Sequence, residues 1–405
     1  MSSRLVIVGA GHAAGQLVAT LRQKKFAGEV HLIGEERWLP YQRPPLSKKF
    51  LAGELPAERL YVKPPAFYED PSVTVQLGTR IGHIDRERRQ VVPESGPAHP
   101  YDKLILATGA SARRLNLPGC ELPGVHYLRT IDDVLTIREQ VARGRRMVIV
   151  GAGYIGLEVA AVAATLGLEV TVVEMQDRVM KRVVSPQVSH IYEQVHREHG
   201  VELLLNAGLE RFLGEERVNG LKLADGREVP ADLVVVGIGI QPNVALAEDA
   251  GLEIEDGIVV DDRCRTADPD IYAVGDCTFH PNALLGRSIR LESVHNALEQ
   301  ARTAATNLCG EEMRYADIPW FWSDQYDLKL QIAGLSNGYD QAVMRGDARR
   351  RCFTCVYLKA GHIIAVDAVN SPRDFIQSKK LIAEHATLDL ARLPEDSIEL
   401  KDLAV

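Results

Sequence analysis

The sequence predicts an α/β protein built from two copies of one β-α-β unit, followed by a smaller α+β domain. Three observations predict this. Arg4–Val8 is an apolar run, and Gly9-Ala10-Gly11-His12-Ala13-Ala14 follows directly. A helical stretch to about Gln23 and a second apolar run, Glu29–Ile33, complete the first copy. Residues 147–150 open the second, with Gly151-Ala152-Gly153-Tyr154-Ile155-Gly156, a helix through Leu166, and a strand over 168–173 that ends at Glu174. From about Pro319 aromatics and short alternating strands take over, at 329–332, 341–345, 352–357 and 362–366. Such a change of period marks a separate domain.

The bulk properties agree. A chain of 405 residues is too long for one ordinary core and suggests two or three domains. Its 46% hydrophobic and 25% charged residues suit a soluble globular protein. No apolar run reaches the length of a membrane span. The first strand begins almost at once, so no signal peptide is expected and the expected location is cytoplasmic. A formal charge of −8 argues against a nucleic-acid protein, whose binding face is normally basic. The six cysteines are scattered and form no disulfide framework. Cys352 and Cys355 do make a C-x-x-C. They lie in a stretch that reads as a strand, where residues three apart face opposite sides. Redox and zinc pairs sit at turns or helix starts instead, so these two read as structural thiols.

The two glycine motifs carry the chemistry. Each has a strand before it, a helix after it and an acid past the next strand, which is the context of a Rossmann dinucleotide site. Gly9 and Gly151 permit the tight turn. Gly11 and Gly153 let a pyrophosphate approach the backbone. Ala14 and Gly156 let the helix pack closely on the sheet. The phosphates then meet the positive helix N-terminus. Glu35 and Glu174 fit the carboxylate that accepts hydrogen bonds from an adenosine ribose. A carboxylate at Glu174 would repel a 2′-phosphate and favour NADH over NADPH, although Arg178 and Lys181 lie close by. Two other apolar strands end in glycine, residues 103–107 before Thr108-Gly109 and residues 233–236 before Gly237-Ile238-Gly239.

Five further motifs are Arg43-Pro44-Pro45-Leu46-Ser47-Lys48, Tyr127-Leu128-Arg129-Thr130, Gly237-Ile238-Gly239-Ile240-Gln241-Pro242-Asn243, Ala273-Val274-Gly275-Asp276-Cys277 and Pro319-Trp320-Phe321-Trp322-Ser323-Asp324-Gln325. With them, the chain from Arg4 to about Leu403 resembles the FAD-dependent NADH:ferredoxin reductases of the putidaredoxin reductase type. These flavoproteins have the glutathione-reductase fold and feed a [2Fe-2S] ferredoxin serving a cytochrome P450 or a ring-hydroxylating oxygenase. The resemblance implies FAD at Gly9-Gly11 and NADH at Gly151-Gly153. It implies a discontinuous FAD domain (1–112 and 242–316), an NAD domain (113–241) and a C-terminal domain (317–405).

It also implies roles for single residues. Asp276 bonds the ribityl chain of FAD, a role compatible with capping a helix. Arg43 and Lys48 cover flavin and pyrophosphate; without the family match, that loop reads as a solvated basic one. Backbone N–H groups at Val294, at the start of a helix, face the pyrimidine edge of the flavin. Ala13, Ile81, Ala107, Thr108 and Arg129 match further FAD contacts, with packing as the other reading for Ile81 and Arg129. Tyr154, Ile155 and Gly239 belong to the NADH site. Lys48, Glu158 and Trp322 receive the catalytic roles. Lys48 pairs with Glu158 near the flavin, Glu158 positions nicotinamide, and Trp322 lies by the flavin at the partner surface. The bland alternatives are an ordinary first-turn charge for Glu158 and a core aromatic for Trp320.

Residues 42–50, where disulfide reductases of this fold carry reactive cysteines, contain none. The electrons are therefore expected to leave the flavin singly for an external carrier. An acidic ferredoxin calls for basic contacts, and Lys63, Arg302 and Lys329 are the candidates. The alternatives are a rubredoxin reductase, or an NADH-sensing flavoprotein that acts through a binding partner.

Overall fold

The computed structural model describes residues 3–142 and 145–405. The chain forms two compact units. One comprises Met1–Arg43, Ala57–Ser111 and Ile240–Pro319; the other comprises Pro44–Pro56, Ala112–Gly239 and Trp320–Val405.

The first unit is built on a five-stranded parallel sheet. Its order is Ile271–Ala273, Lys103–Leu106, Arg4–Val8, Glu29–Ile33, Val73–Gln76. The strands read as unbroken apolar runs because both faces are covered, as parallel sheets require. Period two sorts their side chains. Leu5, Ile7 and Leu32 join Leu17, Val18 and Leu21 of the helix His12–Gln23, together with Ala297, Ala301 and Ala304 of the helix Val294–Leu308. Val6, Val8, Leu104 and Leu106 face the other way, onto Ile81, Ile84 and Val91 of an antiparallel meander. The alanines let the two helices pack side by side.

The second unit repeats the pattern with the order Glu202–Leu204, Glu169–Val173, Arg146–Val150, Leu233–Val236, Val125–Tyr127, again parallel throughout. A three-stranded meander covers one face through Phe212, Leu221, Leu223 and Val229. The helix Tyr154–Thr165 packs against the sheet and also against the strand Trp320–Gln325 and the short turn Pro44–Ser47. Covered on several sides, it buries seven of its twelve residues, mostly small ones. The chain ends in a five-stranded antiparallel sheet covered by the helix Pro372–Ala383. The strands expected at 329–332, 341–345, 352–357 and 362–366 lie within Leu328–Gly334, Gln341–Asp347, Cys352–Lys359 and His362–Val369. In the third of these Cys352 is exposed and Cys355 buried, on opposite faces.

Candidate functional site

The two glycine turns are built alike, and each glycine answers to a different constraint. Gly9 has φ +106°, and a Cβ there would lie 2.2 Å from the Ala107 carbonyl oxygen. Gly151 has φ +102° and the same kind of neighbour, the Gly237 carbonyl, at 2.5 Å. No L side chain fits either turn. Gly156 is excluded from carrying a side chain by the Gly151 carbonyl at 2.1 Å, on the crossing of helix and turn. Gly11 and Gly153 differ from these: a Cβ would meet nothing within 4 Å. Each is the N-cap of a twelve-residue helix, and neither cap offers a side-chain hydrogen bond. Both helices thus present bare backbone N–H groups to open space, which is the cradle a pyrophosphate needs. The residues fit a dinucleotide at each site.

In the first unit Ala13 and Ala14 are buried on the opening turn of the helix, and Ala13 lies beside Gly275. The Gln300 side-chain oxygen accepts from the Gly275 N–H at 2.7 Å and from the Thr278 hydroxyl at 3.0 Å, fixing the turn that holds Asp276. Burial, helped by the Arg43 charge, holds the His12 imidazole down to about 4 against the pull of Asp276. His12 is therefore neutral at pH 7. Arg43 donates to Glu36 at 2.7 Å and to the Tyr41 hydroxyl at 2.8 Å, and Tyr41 donates to Glu36 in turn. Glu35 stays exposed and meets only the exposed Arg80, at 3.4 Å, among the described ion pairs. Thr108 and Asn243 tie their two segments together, hydroxyl to carbonyl at 2.7 Å and amide to carbonyl at 2.9 Å. Ala107 is buried, and Val294 begins its helix behind a Ser293 cap. Ile81 is buried in the apolar cluster with Val6 and Val8.

In the second unit Glu174 follows its strand and turns back on the glycine loop. Its carboxylate accepts from the Ala152 N–H at 2.7 Å and the Gln176 N–H at 2.8 Å. Arg178 and Lys181 both lie by the Asp177 carboxylate, at 3.7 and 3.1 Å. Ile155 is 43% exposed at the helix start, an unusual place for a large aliphatic side chain. Gly239 lies in the turn region after Leu233–Val236. Arg129 immediately precedes the Thr130–Asp133 capping box of the helix Ile131–Val141.

Glu158 is a buried acid held by several donors. It is only 2% exposed. One oxygen accepts from Lys48 Nζ at 2.7 Å and from the Ser47 hydroxyl at 2.5 Å; the other accepts from the Ser323 hydroxyl at 2.7 Å. Element spacing explains the set. Tyr154 and Glu158 are one turn apart on a helix face. Phe321 and Ser323 are neighbours on one face of a strand. The two repeats match in length, so Tyr154 packs on Phe321 (4.8 Å between ring centroids) while Glu158 meets Ser323. Lys48 arrives from Pro44–Ser47, a turn stiffened by its prolines that packs on the same helix. Trp322 points to the opposite face of that strand, 5.4 Å from Trp320, and Trp320 is covered by Lys379 and Phe375.

Sequence reasoning did not assign Ser47, Ser323, Glu36 or Tyr41. Ser47 and Ser323 stood inside recognised motifs, but no spacing rule singled them out. Among the expected docking residues, Lys63 lies over the Phe67 ring, Arg302 pairs with Glu299, and Lys329 is exposed opposite Asp324. The six cysteines are free, and burial pushes the thiols of Cys264 and Cys277 up and that of Cys355 up to about 12. Those three are unreactive as nucleophiles.

Comparison with known proteins agrees with this geometry. Residues 3–301 match the pyridine nucleotide-disulphide oxidoreductase family, and residues 320–404 match the reductase C-terminal family. The ferredoxin reductase subunit of 5,5′-dehydrodivanillate O-demethylase from Sphingobium sp. is 43% identical over 98% of this chain and 97% of its own. Putidaredoxin reductase of Pseudomonas putida is 41% identical over 99% and 97%. The reductase in the crystal structure of the covalent putidaredoxin reductase–putidaredoxin complex superposes with a TM-score of 0.95, at 40% identity over 99% of this chain and 98% of that one. The chain belongs to the pyridine nucleotide-disulphide oxidoreductase family, among the ferredoxin reductases of the putidaredoxin reductase type.

Proposed function

We propose that this protein oxidises NADH and passes the electrons singly, through FAD, to a [2Fe-2S] ferredoxin that supplies a cytochrome P450 or a ring-hydroxylating oxygenase. One observation carries the reading. The segment 44–56 brings a lysine, not a cysteine, to the buried carboxylate of the second glycine helix. Bound FAD would supply the chemistry, accepting a hydride and releasing electrons one at a time. The chain's own residues bind and orient. Gly9, Gly11 and the first helix hold one pyrophosphate; Gly151, Gly153 and the second helix hold the other. The Glu174 carboxylate favours NADH, and Asp177 occupies the two cations that would otherwise welcome a 2′-phosphate. Glu158, locked by three donors, positions nicotinamide, with Lys48 as its counter-charge. Trp322 is the residue on the exit side, and Lys63, Arg302 and Lys329 are candidate ferredoxin contacts. The names of the relatives support the ferredoxin as partner. A cytoplasmic location belongs to the same reading, since six unpaired thiols suit a reducing compartment. No helix among the described residues is long and apolar enough to cross a membrane.

The test is a flavin spectrum of the purified protein, followed by NADH-dependent reduction of cytochrome c with and without ferredoxin or rubredoxin. Turnover that depends on ferredoxin is the expected result. Turnover with rubredoxin alone would change the carrier. Slow turnover with every carrier, beside a long-lived reduced complex with NAD, would point instead to action through a binding partner.

A further inference from the structure

Behind Glu158 a line of buried polar groups runs on within the second unit. Ser323 is 0% exposed and Gln325 1%, both on the inward face of the strand Trp320–Gln325. The Gln325 amide nitrogen lies 3.2 Å from the Ser323 oxygen, and its amide oxygen lies 2.9 Å from Nε2 of His196, which is also 0% exposed. The chemistry of the carboxylate fixes the direction of every bond. Glu158 accepts only, so the Ser323 hydroxyl must donate to it. The Ser323 oxygen is then left to accept, and the Gln325 NH2 is what faces it. The amide oxygen therefore turns to His196, whose Nε2 carries the hydrogen. Burial holds that imidazole down to about 4, so the ring is neutral and its tautomer is set by Gln325. On the other side, Ser47 and Lys48 close on the second oxygen.

We infer that Ser323, aligned by Gln325 and His196, is a positioning residue for hydride transfer: it holds the Glu158 carboxylate in the one rotamer that addresses nicotinamide. The inference rests on the proposed role of Glu158. Removing the hydroxyl leaves one oxygen of a buried carboxylate without its donor, and the side chain turns to recover a partner. A displaced orienting group costs rate far more than affinity, because Gly151, Gly153 and Glu174 hold the other half of NADH.

The experiment follows flavin reduction by NADH in stopped flow, using FAD-loaded wild type, Ser323→Ala, Ser323→Thr and Glu158→Gln, with flavin content and thermal midpoint recorded for each. Ser323→Ala is expected to lower the limiting rate about tenfold or more, with NADH Kd within about threefold of wild type. Ser323→Thr, which keeps the hydroxyl, is expected to restore most of the rate. Glu158→Gln is expected to be at least as slow as the alanine variant. If Ser323→Ala reduces at the wild-type rate while Glu158→Gln is slow, or if Ser323→Thr is as slow as Ser323→Ala, the positioning role is overturned and the reading of Glu158 stands. If Glu158→Gln is itself as fast as wild type, both fall. Should Ser323→Ala lose its flavin or fail to fold, Ser47→Ala removes a donor from the other oxygen. A wild-type limiting rate in that variant overturns the clamp.

Discussion

A methyl group added at Gly9 and one added at Gly11 meet opposite surroundings. At Gly9 it strikes the Ala107 carbonyl, and the backbone sits at φ +106°. Gly9→Ala is expected to destabilise the protein by about 2–4 kcal/mol, flavin or not. At Gly11 it enters open space. Gly11→Ala is expected to leave apoprotein stability within about 1 kcal/mol and to weaken FAD binding about tenfold or more. Thermal unfolding of the apoproteins and a flavin fluorescence titration separate the two effects. The motif spacing made both glycines legible in the sequence. Glu158 was legible as a charge near the proposed nicotinamide position and, through the family resemblance, as the partner of Lys48. Its serine partners were not, because a serine that meets a carboxylate from a distant strand leaves no local signal. Glu36 was overlooked for a similar reason: it adjoins Glu35, and the sequence does not say which of two consecutive acids turns toward Arg43.

At the scale of elements, the N-terminus of the helix Pro186–Glu198 and the C-terminal sheet share a buried polar layer that the mechanism does not use. Tyr357 donates to Asp367, the Ser185 N–H donates to the Tyr357 hydroxyl at 2.8 Å, and the second Asp367 oxygen has no partner. Burial pushes the Asp367 carboxyl up to about 7 from an ordinary 3.8, against the lowering by the Tyr357 hydrogen bond. The folded state therefore holds this proton more tightly than the unfolded chain does. Its contribution to stability is complete below about pH 4 and is lost as pH rises toward 7, by up to about 1.4 kcal/mol per pH unit. Asp367→Asn removes the titration. The stability of the variant relative to wild type is expected to climb between pH 4 and 7 and then level off in denaturant unfolding; a difference that does not change with pH would contradict this. The parallel strands were legible as elements because both faces are buried and the apolar runs are unbroken. The strands of the C-terminal sheet were legible from alternation. The edge strand Val125–Tyr127 and the strand Trp320–Gln325 were not predicted as strands: the first has three residues, and the second mixes aromatics with polar groups on both faces.

For the whole molecule, a net charge of −8 has to be reconciled with a proposed acidic partner. Local basic contacts would do this. Ferredoxin reduction is then expected to slow as salt is raised, since exposed charges are screened beyond about 8 Å at physiological ionic strength. Lys329→Glu, at an exposed strand position, is expected to slow ferredoxin reduction several-fold while flavin reduction by NADH stays at the wild-type rate. A rate indifferent to salt and to this substitution would remove Lys329 from the docking face. The two parallel sheets behind the glycine turns were legible as an internal repeat. The path of residues 44–56 was not: that segment leaves the first unit immediately after Arg43 and joins the second. A contact between Lys48 and Glu158, distant in sequence, was expected only through family resemblance. In the proposed function electrons enter as hydride and leave singly with no thiol between. The most direct measurement is an anaerobic titration of the FAD-loaded protein with NADH, followed by mixing with oxidised [2Fe-2S] ferredoxin. About one NADH per FAD is expected to bleach the flavin, no thiol is expected to become open to alkylation, and each bleached flavin is then expected to reduce about two ferredoxins. Uptake of a second NADH with new alkylatable thiols, or a bleached flavin that persists in the presence of ferredoxin, would contradict it.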